Sequence, residues 1–205
     1  MRARYRTVFS VVKRGRPLLA ALLCVCACER PDPPAPLPLA CSPEPTRTAR
    51  LLARLTAAGQ VVGDDLGPRI CFAAGAGTVW PGQVISLPSD WADDPTAARL
   101  AHLLHHVREG RGLVAHEPRA GRDCEALVEE ALREESRAHV VEMEVRATLG
   151  VTDPARRFVN EDEILGLPPT ERAAAELAYL EAHPDGGGGY EPLGRDYRTR
   201  CLAEP

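Results

Sequence analysis

The residues best suited to chemistry lie in one short stretch, Leu100-Ala101-His102-Leu103-Leu104-His105-His106-Val107-Arg108-Glu109, which holds three of the chain's six histidines. In a helix turning about 100° per residue, His102 and His106 lie about 40° apart and one turn from each other. Two imidazoles at that spacing can direct their nitrogens at a single metal ion. His105 falls about 60° off the same face and Glu109 about 20° off it. Leu100, Leu103, Leu104 and Val107 gather on the opposite side, where a core would take them. The plainer alternative is that the three histidines are the polar face of an amphipathic helix.

A second segment adds a carboxylate. Between Cys124 and Leu149 the apolar arc is built by Cys124, Leu127, Val128, Ala131, Ala138, Val141, Val145 and Leu149, while Glu129, Glu130, Arg133, Arg137 and Glu144 take the outside. Glu135 and Glu142 project into the apolar arc. A carboxylate there is costly unless it is paired, protonated or bound to a cation. Glu135 is therefore a candidate third metal ligand beside His102 and His106, and a buried ion pair with Arg99 or His139 is the rival explanation.

The elements that must position these residues follow from periodicity and turn signals. Thr46 to Gly59 reads as a short helix with Ala49, Leu52, Ala53 and Leu55 at helical spacing. Arg69–Ala73, Thr78–Trp80 and Gln83–Leu87 read as short strands joined by hairpin connections. Asp94-Pro95 opens a helix running to Glu109, and a polar loop covers 110–122. Asp123 caps a long helix that Gly150 stops. Asp153-Pro154 starts a short helical piece, and Glu171 to Ala182 is a last helix. The predicted fold is α+β, a small antiparallel sheet packed with two long helices. Trp80 and Trp91 flank the proposed edge strand, either lining a cleft or anchoring the sheet.

The order of strand, acidic loop, His-x-x-x-His helix and second helix with a carboxylate resembles the core of the zincin metallopeptidases, over roughly residues 68–150. Glu135-Ser136-Arg137-Ala138-His139 is similar to a Glu-x-x-Ala-Tyr stretch found in some of them. The resemblance implies a zincin-like core, zinc held by His102, His106 and Glu135, and a peptide or protein ligand in the cleft. It also exposes a departure. Where the family's H-E-x-x-H pattern has its general base, this chain has Leu103, which can neither polarise a water nor carry its proton. Losing such a base typically forfeits about 10²–10⁴ in rate. His105 and Glu109 are the weak candidates for a displaced base.

The termini bear on location. Residues 1–27 carry Arg2, Arg4, Arg6, Lys13, Arg14 and Arg16 and no acid, which leaves 19 basic residues against 29 acidic in the remainder. The apolar run from Pro17 to Ala27 is roughly half of the ~20 residues that a membrane-spanning helix needs, so 1–27 reads as a secretory signal. Val25-Cys26-Ala27-Cys28 resembles a bacterial lipobox, with Cys28 as the lipidated residue. Residues 28–45 form a proline-rich tether, 46–182 the folded domain, and 183–205 a Gly-rich, flexible tail. Export to an oxidising envelope suggests two disulfides among Cys41, Cys71, Cys124 and Cys201. Three connectivities are open, of which Cys41–Cys71 with Cys124–Cys201 is the expected one.

Aromatics make up only 4% of the chain and the net charge is -4, which argues against a nucleic-acid partner. The sequence thus predicts a lipid-anchored protein of the bacterial cell envelope, at the outer membrane or periplasmic face, with a metal-binding, catalytically impaired zincin-like domain. An active metallopeptidase with a displaced base and a non-enzymatic scaffolding or adhesive lipoprotein are the alternatives.

Overall fold

The computed structural model describes residues 41–62, 69–75, 77–80, 84–109, 123–154, 157–186 and 193–203, the last four by backbone alone. The chain divides into two units, Met1–Pro33 and Pro34–Pro205, and every described residue belongs to the second. The expected signal, Cys28, most of the tether and the loop at 110–122 lie outside the described residues. The described elements are, in order, α1 (Pro45–Ala57), β1 (Ile70–Ala73), β2 (Thr78–Trp80), β3 (Val84–Pro88), α2 (Asp93–Glu109), α3 (Cys124–Leu149), α4 (Glu161–Gly166), α5 (Pro169–Ala182) and α6 (Leu193–Ala203). None of these helices is long and apolar enough to cross a membrane.

α1 starts on Pro45, whose fixed φ and missing N–H suit a first turn. Its Leu51 and Leu55, one turn apart, are fully buried. Its Arg47 fixes the start of α2. That guanidinium donates from Nη1 to the Ser89 carbonyl at 2.9 Å and from Nη2 to the Trp91 carbonyl at 2.6 Å, and its Nε lies 3.3 Å from Asp93. Arg50 adds a second contact to Asp93 at 2.9 Å. Asp93 and Asp94 in the first turn of α2 also suit the positive end of its dipole.

The sheet is mixed, in the order β1-β3-β2, and corrects the expected antiparallel sheet. β3 lies parallel to β1, with Ile85 opposite Ile70, and antiparallel to β2, with Ile85 opposite Val79. The cause is visible in composition. Every residue of Val84-Ile85-Ser86-Leu87-Pro88 is buried, so this strand takes the centre. β2 alternates toward solvent and takes an edge. Its Trp80 is 42% exposed, with Nε1 donating to Ser86 Oγ at 3.0 Å, so it anchors no core. The expected Cys41–Cys71 disulfide is present and, with pairing between Ser42 and Phe72, ties the start of α1 to β1. Cys124 is also disulfide-bonded; the Cys201 side chain expected opposite it lies outside the described residues.

α3 begins and ends as the sequence predicts. Asp123 accepts from the Glu125 amide at 3.1 Å, and Gly150 closes the helix at φ 67°. α3 serves two cores. One joins Leu51, Ile70, Ile85, Leu100, Leu104 and Val145 across α1, the sheet, α2 and α3. The other joins Val128, Leu132, Met143, Phe158, Ile164 and Leu180 across α3, α4 and α5. α4 lies at Glu161–Gly166, later than the expected start at Asp153-Pro154, and the buried Arg146–Glu161 pair at 3.2 Å pins it to α3. α5 is not the last helix: the tail expected to be flexible folds into α6, which packs on α3.

Candidate metal centre

Packing Leu100, Leu103 and Leu104 of α2 into the first core turns His102 and His106 toward α3. There α3 presents Glu135, His139 and Glu142 at spacings of four and three residues, one continuous stripe, with Glu134 beside it. All six of these side chains are buried. α5 contributes Glu176, fully buried, and α6 contributes Tyr197.

The ligating atoms converge. His102 Nε2 and His106 Nε2 are 3.0 Å apart, and each lies 3.4 Å from Glu135 Oε2. A metal bound at about 2.0–2.1 Å by tetrahedral ligands spaces them roughly 3.3 Å apart. His102, His106 and Glu135 can therefore hold a metal ion, and the sequence had singled out these three. Around them stands a ring of carboxylates. Glu134 Oε1 is 2.9 Å from His106 Nδ1, and Glu176 Oε1 is 2.7 Å from His139 Nδ1. Glu142 Oε2 is 3.1 Å from His102 Nδ1, though outside hydrogen-bonding geometry. Tyr197 donates its hydroxyl to the remaining oxygen of Glu135.

The electrostatics follow from burial and neighbours. Burial, then the Arg99 charge, pushes the His102 pKa down, so this ring is neutral at neutral pH. Burial opposes charge on His106 too, but Glu135 and Glu134 outweigh it and raise its pKa to about 9. His106 as imidazolium donates one N–H to Glu134 and the other to His102 Nε2, so a proton occupies the point where the trio's nitrogens meet. Burial also works against ionised Glu135, yet the His106 charge and the two imidazole nitrogens 3.4 Å away hold its pKa well below the usual carboxylate range. Arg99 does the same for Glu142, against its burial, bringing it to about 2. Arg99 thus pairs with Glu142, at 3.3 Å, and anchors by Nη2 on the Gly77 carbonyl at 3.3 Å. Of the rival partners expected for Glu135, His139 brings its Nε2 to 3.8 Å from Glu135 Oε2, and Arg99 pairs with Glu142 instead.

Other predicted residues stand apart. Leu103 is in the core, its Cδ1 only 3.0 Å from where a Cβ on Gly77 would lie. Glu109 is exposed. His105 is half-buried, its ring edge-on to His106 at 6.3 Å, and burial followed by the His106 charge lowers its pKa. Neither joins the converging atoms. Sequence reasoning missed Glu134, Glu176 and Tyr197, and also Asn160, whose Nδ2 donates to Glu176 Oε2 at 2.9 Å. Glu176 carried a signal, since it shares a helix face with Leu180 one turn on; Tyr197 sat in a segment expected to be flexible.

Compared with protein-family models, curated proteins and solved structures, the chain matches none.

Proposed function

We propose that this protein is a lipid-anchored envelope protein whose zincin-like domain binds one zinc ion through His102, His106 and Glu135 without efficient peptidase activity. The observation that carries the metal half is the approach of two imidazole nitrogens and one carboxylate oxygen to within 3.0–3.4 Å in a buried place. Zinc suits two imidazoles and a carboxylate, and the carboxylates behind the rings are the support that ligating histidines usually have. Bound zinc would polarise whatever oxygen it coordinates. The chain would contribute orientation: Glu134 steadies His106, and Tyr197 steadies Glu135. Catalytic impairment is supported by Leu103, a core residue where a base would stand. The envelope half rests on the basic, apolar and cysteine order ending at Cys28.

Metal analysis of the purified full chain tests the proposal. One zinc per chain is expected, lost in His102→Ala/His106→Ala, with no chelator-sensitive proteolysis. A metal-free folded protein overturns the binding half, and zinc-dependent proteolysis overturns the impairment.

A further inference from the structure

We infer that α6 is a strap governing how the centre holds its metal: Tyr197 claims one oxygen of Glu135 and leaves the other as a single ligand atom. The inference rests on the proposed metal binding by His102, His106 and Glu135. Both imidazoles approach Glu135 Oε2 at 3.4 Å, while the Tyr197 hydroxyl donates to Oε1. The two oxygens of one buried carboxylate are thus divided between α2 and α6.

A carboxylate can bind a cation through one oxygen or through both. A hydrogen bond to an ionised oxygen is among the strong ones, so Oε1 must give up Tyr197 before it can turn to a metal. Partners of this kind orient ligating carboxylates. Tyr197 acts only where α6 places it, and several contacts do so. Leu193 and the Tyr197 ring rest on the second core. The Arg195 amide donates to the Pro184 carbonyl at 3.1 Å. Gly194 packs so closely that a Cβ there would lie 2.9 Å from Pro184 Cβ and 3.1 Å from its Cα, a rigid ring and a backbone atom. Arg198 forks onto both oxygens of Glu125 at 3.0 and 2.9 Å, beside the start of α3. That pair is exposed and contributes little, so the close approach at Gly194 and the core packing hold the strap.

X-ray absorption at the zinc edge of the loaded full chain tests the division of oxygens. In the wild type, Glu135 should contribute one oxygen at about 2.0–2.2 Å. Tyr197→Phe keeps the ring on the core and removes only the hydroxyl. It should bring in the second oxygen, with the short metal–carbon distance of a chelating carboxylate. Competition with a chelator should show zinc binding weakened about 10–100-fold, as is typical when the support of a ligand is lost. Gly194→Ala should act in the same direction on both readouts by displacing α6, although alanine is the better helix former. A chelating Glu135 in the wild type overturns the inference and leaves the three-residue site standing. So does folded Tyr197→Phe with unchanged coordination, whatever its affinity. Wild-type coordination and affinity in Gly194→Ala overturn the part given to α6. A full chain that takes up no zinc fails at the earlier step and overturns both readings.

Discussion

Leu103 stands one residue after the first histidine of the pair, and its side chain packs in the core against Gly77. Placing a carboxylate there should not create a base. Leu103→Glu would bury an unpaired charge among Ile85, Leu100 and Leu104, at a cost of about 3–5 kcal/mol. Urea denaturation should show that loss and a protease assay no gain; a stable variant with zinc-dependent proteolysis would contradict the placement. His106 makes a second residue-scale prediction, for the metal-free protein. Its folded pKa of about 9 exceeds the ordinary 6.5, so its contribution is full below pH 6.5 and is lost as pH rises through 9. Glu142 has the opposite sign: depressed to about 2, it contributes above pH 4.5 and loses that contribution as pH falls through 2. Buried His102, held neutral, subtracts stability as pH falls below 6.5. The His106 effect is therefore cleanest above neutrality. Unfolding free energy in the presence of chelator should fall by about 1–3 kcal/mol from pH 7 to 9, and His106→Gln should flatten that slope.

At the scale of elements, what the sequence revealed depended on how local the cause was. α3 was legible at both ends because Asp123 and Gly150 act within a turn of themselves. The His102–His106 pair and Glu135 were legible because a helical wheel alone brings the first two together and marks the third as misplaced on an apolar arc. Sheet order was not, since whether β3 lies central or at an edge is decided by what covers it from both sides. Nor were the partners of His139 and Glu135, because α5 and α6 bring Glu176 and Tyr197 from 37 and 62 residues away. The Cys41–Cys71 bridge closes a separation of 30 residues. A loop of that size restricts the unfolded chain by about 3–4 kcal/mol. Replacing both cysteines by alanine should lower the unfolding free energy by that amount, and no change in the denaturant midpoint would mean that the bridge constrains little.

Over the whole folded unit, two apolar cores share one long helix, and the buried polar cluster lies along that helix where α2 and α5 meet it. Four buried carboxylates there, Glu134, Glu135, Glu142 and Glu176, face the three imidazoles and Arg99. Such a concentration of charge is expensive in a core, and a bound divalent cation would offset part of that cost. A ligand that binds only the folded state must raise its stability, by about 2.7 kcal/mol when free ligand is a hundred times its Kd. The most direct measurement is therefore thermal unfolding of the chelator-stripped full chain as zinc is added. The metal centre predicts a rise in Tm that saturates at one equivalent and disappears in His102→Ala/His106→Ala. A folded wild-type chain whose Tm is unmoved by zinc would contradict it.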